Sequence, residues 1–146
     1  MNLVSAHLAS QPQLADAWMI VRLSLHVLSA CVWVGGQLVL AGLVVTLRGI
    51  SRDAPGQVAK AFARLSWPAY WTLIATGVWN YVAINHAHAT TSWNVVFAVK
   101  MLSVAVAGLG ALLHTRAASP RARGVYAGAG MIGTIAALIL GVALAG

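Results

Sequence analysis

Three side chains in this sequence carry chemistry that a chain so apolar does not keep without cause: His26, Lys100 and Trp33. His26 lies inside Leu23–Leu47, a stretch with no formal charge and long enough to cross a hydrocarbon core of roughly 30 Å as a helix. An imidazole there is costly unless it is paired or bound, which makes it a functional candidate by default. Lys100 interrupts another apolar stretch, and at the centre of a span its charge costs about 3 kcal/mol on insertion scales. Imidazole is a ligand for copper, zinc and haem iron, and a nearby lysine amine either ligates opposite it or pairs an anionic group.

His86 and His88, in Asn-His-Ala-His, have the short spacing of exposed sites for soft or borderline metals, so His26, His86 and His88 are the candidate metal ligands. Plainer readings compete. His26 bonding a neighbouring helix would contribute on the order of 1 kcal/mol, Lys100 can snorkel to the headgroups, and His114 beside Arg116 reads as an interfacial residue. Met1, Met19, Met101 and Met131 form no thioether path, and Cys31 is a small packing residue that leaves no intrachain disulfide. Asp16 and Asp53 are the only acids, so a carboxylate proton relay is excluded. Without a nucleophile–base pair or phosphate loop, the sequence leans away from an enzyme while leaving the question open.

These side chains must be positioned by membrane helices. With 60% hydrophobic and 8% charged residues among 146, the chain suits a single membrane domain over residues 1–146. The expected fold is all-α, an integral membrane bundle of four transmembrane helices at about 16–47, 65–84, 94–114 and 125–145. The first span lacks a basic region before it and is expected to be retained. Residues 48–64 read as a loop with an interfacial helix turn, with Pro68 in the first turn of the second span. Trp18 and Arg22 fall at the interface, the arginine snorkelling.

On the first helix Met19, Arg22, His26, Ser29, Trp33 and Gln37 recur at helical spacing and define a polar stripe; on the third, Phe97, Lys100, Ser103, Ala107, Ala111 and His114 do the same. Counted from the span ends, His26 and Lys100 share a depth, with Thr76, Trp79 and Asn80 of the second span in that layer. On the fourth helix Ala129, Gly133, Ala137, Gly141 and Ala145 form a small-residue seam for internal packing or a homodimer.

The net charge of +7 is concentrated in two clusters beside the spans: Arg48, Arg52, Lys60 and Arg64, then Arg116, Arg121 and Arg123. That is the pattern of topology signals and lipid headgroup contacts, not of nucleic-acid binding. The positive-inside bias sets both clusters in the cytoplasm, with both termini and the His86/His88 loop extracytoplasmic in a cytoplasmic membrane.

The segment from His26 through Trp33 to Gly35-Gly36, followed by an apolar run, resembles the first-helix signature of the copper-resistance protein D (CopD) family. Phe62-Ala-Arg64-Leu-Ser66, Thr76-Gly77 and Val99-Lys100-Met-Leu follow in that family's order, so the resemblance covers about residues 20–116. It implies a cytoplasmic-membrane protein of copper uptake or tolerance, acting as an oligomer or with a partner. The His-to-Trp spacing and intramembrane lysine are also similar to HemJ, a four-helix haem-pathway family that carries haem b through that histidine. Gln37-Leu-Val-Leu-Ala-Gly departs from HemJ's Tyr-Leu-Pro-Arg type segment. The cofactor expectation is therefore copper or haem b, with His26, Lys100 and Trp33 at the site. A non-catalytic accessory subunit of a larger membrane complex is the third reading.

Overall fold

The computed structural model describes residues 14–85 and 89–145, and within them the chain is helical with no strand. Four helices follow in order: α1 (Ala17–Ile50), α2 (Ala54–Val82), α3 (Thr91–Arg116) and α4 (Pro120–Ala145). Three of them, α1, α3 and α4, are long and apolar enough to cross a membrane. The sequence of α2 is less apolar because Trp67, Pro68, Tyr70, Trp71, Trp79 and Asn80 dilute its aliphatic residues.

α1, α3 and α4 each start at a short polar side chain that takes up a backbone N–H left free in the first turn, and ahead of α2, whose N-cap Asp53 makes no such bond, Ser51 does so. Asp16 accepts from Met19 N at 2.9 Å and Thr90 from Trp93 N at 3.2 Å. The hydroxyl oxygen of Ser51 accepts from Ala54 N at 3.2 Å, and that of Ser119 from Ala122 N at 3.2 Å, with Pro55 and Pro120 in the first turns that follow. These caps move the expected boundaries. Residues 54–64 are continuous helix rather than loop, and α1 runs on to Ile50.

As a result Pro68 lies inside α2, not in a first turn. Proline has no N–H for the carbonyl of Arg64 and ordinarily weakens a helix interior. The Thr72 hydroxyl donates to the Pro68 carbonyl at 2.9 Å, and Ser66 donates to Ala63 O at 3.5 Å.

α1 has one irregularity, a π-helical turn over Cys31–Gly35 that carries Trp33. Directly after it, Gly36 is in contact with the Phe62 ring of α2, which occupies the space a Cβ there would need. A side chain at that position would have to displace the Phe62 ring.

The helices pair as two antiparallel hairpins. Trp18 meets Trp79, His26 meets Thr76, Trp33 meets Trp67 and Tyr70, and Gly36 meets Phe62, which fixes the α1/α2 register. In the second hairpin Lys100 lies against Gly141, Ser103 and Ala107 against Gly133, Gly110 against Gly130, and His114 against Arg123. An added Cβ at Gly133 would fall 2.8 Å from Ser103 O, and one at Gly110 would fall 2.6 Å from the Gly130 Cα, so these glycines allow backbone-to-backbone approach. The hairpins are joined at mid-height by Trp33 Nε1 donating to Thr134 Oγ1 at 3.2 Å and Tyr70 OH donating to Val104 O at 2.9 Å.

The polarity is inverted relative to a water-soluble domain. The buried positions are Ser29, Ser66, Thr76, Ser103 and Thr134 with glycines, Ala69, Ala107, Trp33 and Tyr70. Large aliphatic side chains face outward, with Leu102 65% and Ile132 72% exposed. Small and hydroxyl residues inside with aliphatics outside is the arrangement expected of helices that pack within lipid.

Candidate functional site

The two registers place one polar layer between two aromatic ones. The lower aromatic layer consists of Trp33, Trp67 and Tyr70, with ring centroids 4.6–5.8 Å apart. Trp33 is 4% exposed, and its indole N–H is satisfied by Thr134. Seven residues toward the N-terminus of α1 lies His26, about 10 Å higher at 1.5 Å per residue. Thr76 lies six residues above Tyr70, and Gly141 lies seven above Thr134. Lys100 is one turn above Val104. All four therefore share a level. Above them Trp18 packs on Trp79 at 6.2 Å, and Tyr81 stacks on Phe97 at 4.6 Å.

Within that layer the hydrogen bonds determine the histidine tautomer. His26 Nδ1 is 2.8 Å from Thr76 Oγ1. The Thr76 hydroxyl has one proton and directs it to the carbonyl oxygen of Thr72 at 2.6 Å. It must then accept from His26, so Nδ1 carries the hydrogen and Nε2 of the neutral ring keeps the lone pair. The Leu73 carbonyl lies 3.3 Å from the same hydroxyl. Orientation of one imidazole nitrogen by a hydrogen bond, with the other left as a donor of electrons, is the usual arrangement of metal-ligating histidines.

Lys100 is half-buried and extends along α4, its Nζ 3.4 Å from the position a Gly141 Cβ would take. Neither acid of the chain is in this layer. Asp16 caps α1, ten residues before His26, and Asp53 lies in the turn at the opposite end.

Of the residues singled out by sequence, His26 and Lys100 lie at one level on different hairpins, and Thr76 is hydrogen-bonded to His26. Trp33 lies a layer away with its ring held by Trp67, Tyr70 and Thr134, so it forms the floor of the site rather than its wall. His86 and His88 lie outside the described residues. Among the described residues no group of three His, Cys, Asp or Glu converges. His114 is at the far end of α3, where Nδ1 donates to Arg123 O at 2.9 Å and closes the α3/α4 turn.

The tautomer-setting role of Thr76 was not assigned from sequence. The signal was available: a threonine on the inward face of α2 in the same layer as an intramembrane histidine. The partnership of Trp33 with Thr134 joins residues on α1 and α4, and no local spacing announces it. Comparison with known proteins returns nothing that matches this chain, whether family model, curated protein or solved structure.

Proposed function

We propose that this chain is a CopD-like protein of the cytoplasmic membrane, with all four helices spanning and both termini outside, whose function rests on the His26/Lys100 layer. Of the two occupants considered, haem b is favoured over a bare copper ion. The observation that carries this reading is the hydrogen-bond chain from His26 through Thr76 to Thr72, which leaves Nε2 as the nitrogen available to a metal. A copper ion would sit in the layer of a lysine, with neither aspartate at that level and no group of three His, Cys, Asp or Glu converging among the described residues. A haem brings its own four equatorial ligands and its own carboxylates, so one imidazole and one uncompensated cation are what it asks of a protein.

The donor set suits the group: His26 would ligate the iron, and Lys100 would pair a carboxylate or serve as a second ligand. When bound, haem supplies one-electron chemistry. The chain's part is to fix the imidazole, keep water from the layer and balance charge. Spanning by α2 is supported by its antiparallel pairing with α1 along its whole length, which lets its polar residues face protein rather than lipid.

The test is spectroscopic. Protein purified in mild detergent should show a Soret band that His26→Ala abolishes. A colourless protein carrying stoichiometric copper by elemental analysis would favour the copper reading instead.

A further inference from the structure

One turn above His26, on the same face of α1, lies a second feature that the haem reading does not use. Arg22 is half-buried, and its Nε is fully buried with no hydrogen-bond partner. Asn80 is half-buried as well, and its Oδ1 is likewise enclosed and unpartnered. Arg22 lies four residues before His26 and Asn80 four after its partner Thr76, so antiparallel pairing sets both about one turn above that pair. Two orphaned polar groups thus share a level beside the Trp18/Trp79 contact.

A buried donor left without an acceptor is destabilising, more so on a charged group. Arginine cannot escape by losing its proton. Among the described residues no carboxylate lies there. Asp16 is six residues away, about 9 Å along the axis at 1.5 Å per residue, and its carboxylate is used on Met19 N; Asp53 is at the other end of the helix pair. The planar guanidinium suits a carboxylate or phosphate, and a carboxamide turned by 180° about its last bond presents its N–H₂ where Oδ1 now stands.

We infer that Arg22 and Asn80 form an oxyanion-binding subsite, set one turn above His26 beside the Trp18/Trp79 contact, for the anionic end of an amphiphile whose apolar body lies in the bundle or the bilayer. The oxyanion has two sources: a carboxylate of the haem, which rests on the functional reading above, or a phospholipid phosphate, which does not.

The experiment has one arm for each. Apo protein in neutral detergent is titrated with haem b and with haem b dimethyl ester, whose carboxylates are masked. The wild type should bind haem b about tenfold or more tightly than the ester. Arg22→Gln should lower haem b affinity to the ester's level while leaving ester affinity unchanged. Arg22→Lys, which keeps the charge but loses the fork, should fall between them. In parallel, native mass spectrometry compares protein from phosphatidylglycerol and phosphatidylcholine nanodiscs. A phosphatidylglycerol retained by the wild type and lost in Arg22→Gln assigns the oxyanion to lipid phosphate.

If the wild type binds neither porphyrin, the haem reading fails and the lipid arm alone decides the subsite. Equal affinity of the wild type for haem b and its ester, together with no lipid preference, overturns the proposal, and that result needs no variant to fold.

Discussion

Thr76 Oγ1 lies between His26 Nδ1 at 2.8 Å and the Thr72 carbonyl oxygen at 2.6 Å, so a single hydroxyl proton decides which face of an intramembrane imidazole is free. Changing Thr76 to valine keeps the side-chain shape and removes both bonds. Ligand affinity measured by absorbance titration is expected to fall about 10- to 100-fold, as for other partners that orient a metal-bound histidine. Thr76→Ser, which restores the hydroxyl, should recover most of it. Undiminished affinity in the valine variant would show that the tautomer is set elsewhere.

His26 and Lys100 come from separate hairpins to one level, and residues that act as a unit are non-additive. His26→Ala and Lys100→Ala should each abolish binding, the double variant should lose little more, and His114→Ala should bind normally. Independent, additive losses of thermal stability with binding intact would mean that the two residues serve packing alone.

The glycines divide into two classes with opposite expectations. At Gly133 an added side chain meets backbone atoms of Ser103 and Ala107, and at Gly110 it meets Gly130 and Tyr126, whereas Gly124 and Gly128 have nothing within 4 Å. Gly133→Leu should therefore lower the melting temperature in detergent or prevent folding, at a cost of about 1–3 kcal/mol or more from overpacking. Gly128→Leu should leave stability unchanged in the monomer. Loss of a dimer in Gly128→Leu with normal monomer stability would assign that face to self-association.

Trp33 and Thr134 form one of the two hydrogen bonds that join the hairpins at mid-height, beside that of Tyr70 with Val104 O. Thr134→Val leaves a buried indole N–H unsatisfied and should cost about 1–3 kcal/mol; Trp33→Phe alone leaves the hydroxyl unpaired and opens space beside Tyr70. A double-mutant cycle on thermal unfolding should return a coupling of about 0.5–1.5 kcal/mol, and a value near zero would show that the hairpins are held by other contacts.

For topology, reporter fusions after Asp53 and Ala118 should read as cytoplasmic and one after Ala89 as external. The reverse pattern would invert the assignment while leaving the helix pairing untouched.

The helical content and the shared level of His26 and Lys100 were legible because period 3.6 and residue counts carry depth along an axis. What pairs around the axis was less legible. The seam read on α4 illustrates this: residues four apart rotate by about 40° per step at 3.6 residues per turn, so a long row must leave the interface. Gly133 is buried and Gly141 faces Lys100, but Ala129 and Ala145 are exposed, and Gly130 and Thr134 take the inner positions. The start of α2 was missed for a different reason. Residues 48–64 carry turn-forming and basic residues that resemble a loop in composition, whereas Ser51 and Pro55 act together as a helix start.

The π-helical turn at Cys31–Gly35 has a consequence for how tolerant this chain is to change in length. Such a turn holds one residue more than the α-helical turn it replaces, so it absorbs that residue without changing the phase of the helix on either side. Deleting Val34 would let α1 close as a regular helix with the flanking segments at nearly the same azimuth. His26 and Trp33 both precede the deletion and stand seven residues apart, so they would still share a face, seven steps of about 100° closing to within about 20° of two turns. One residue can therefore be lost from this turn at little cost to the layer, whereas a deletion between His26 and Trp33 would turn one about 100° away from the other, with a shift of about 1.5 Å.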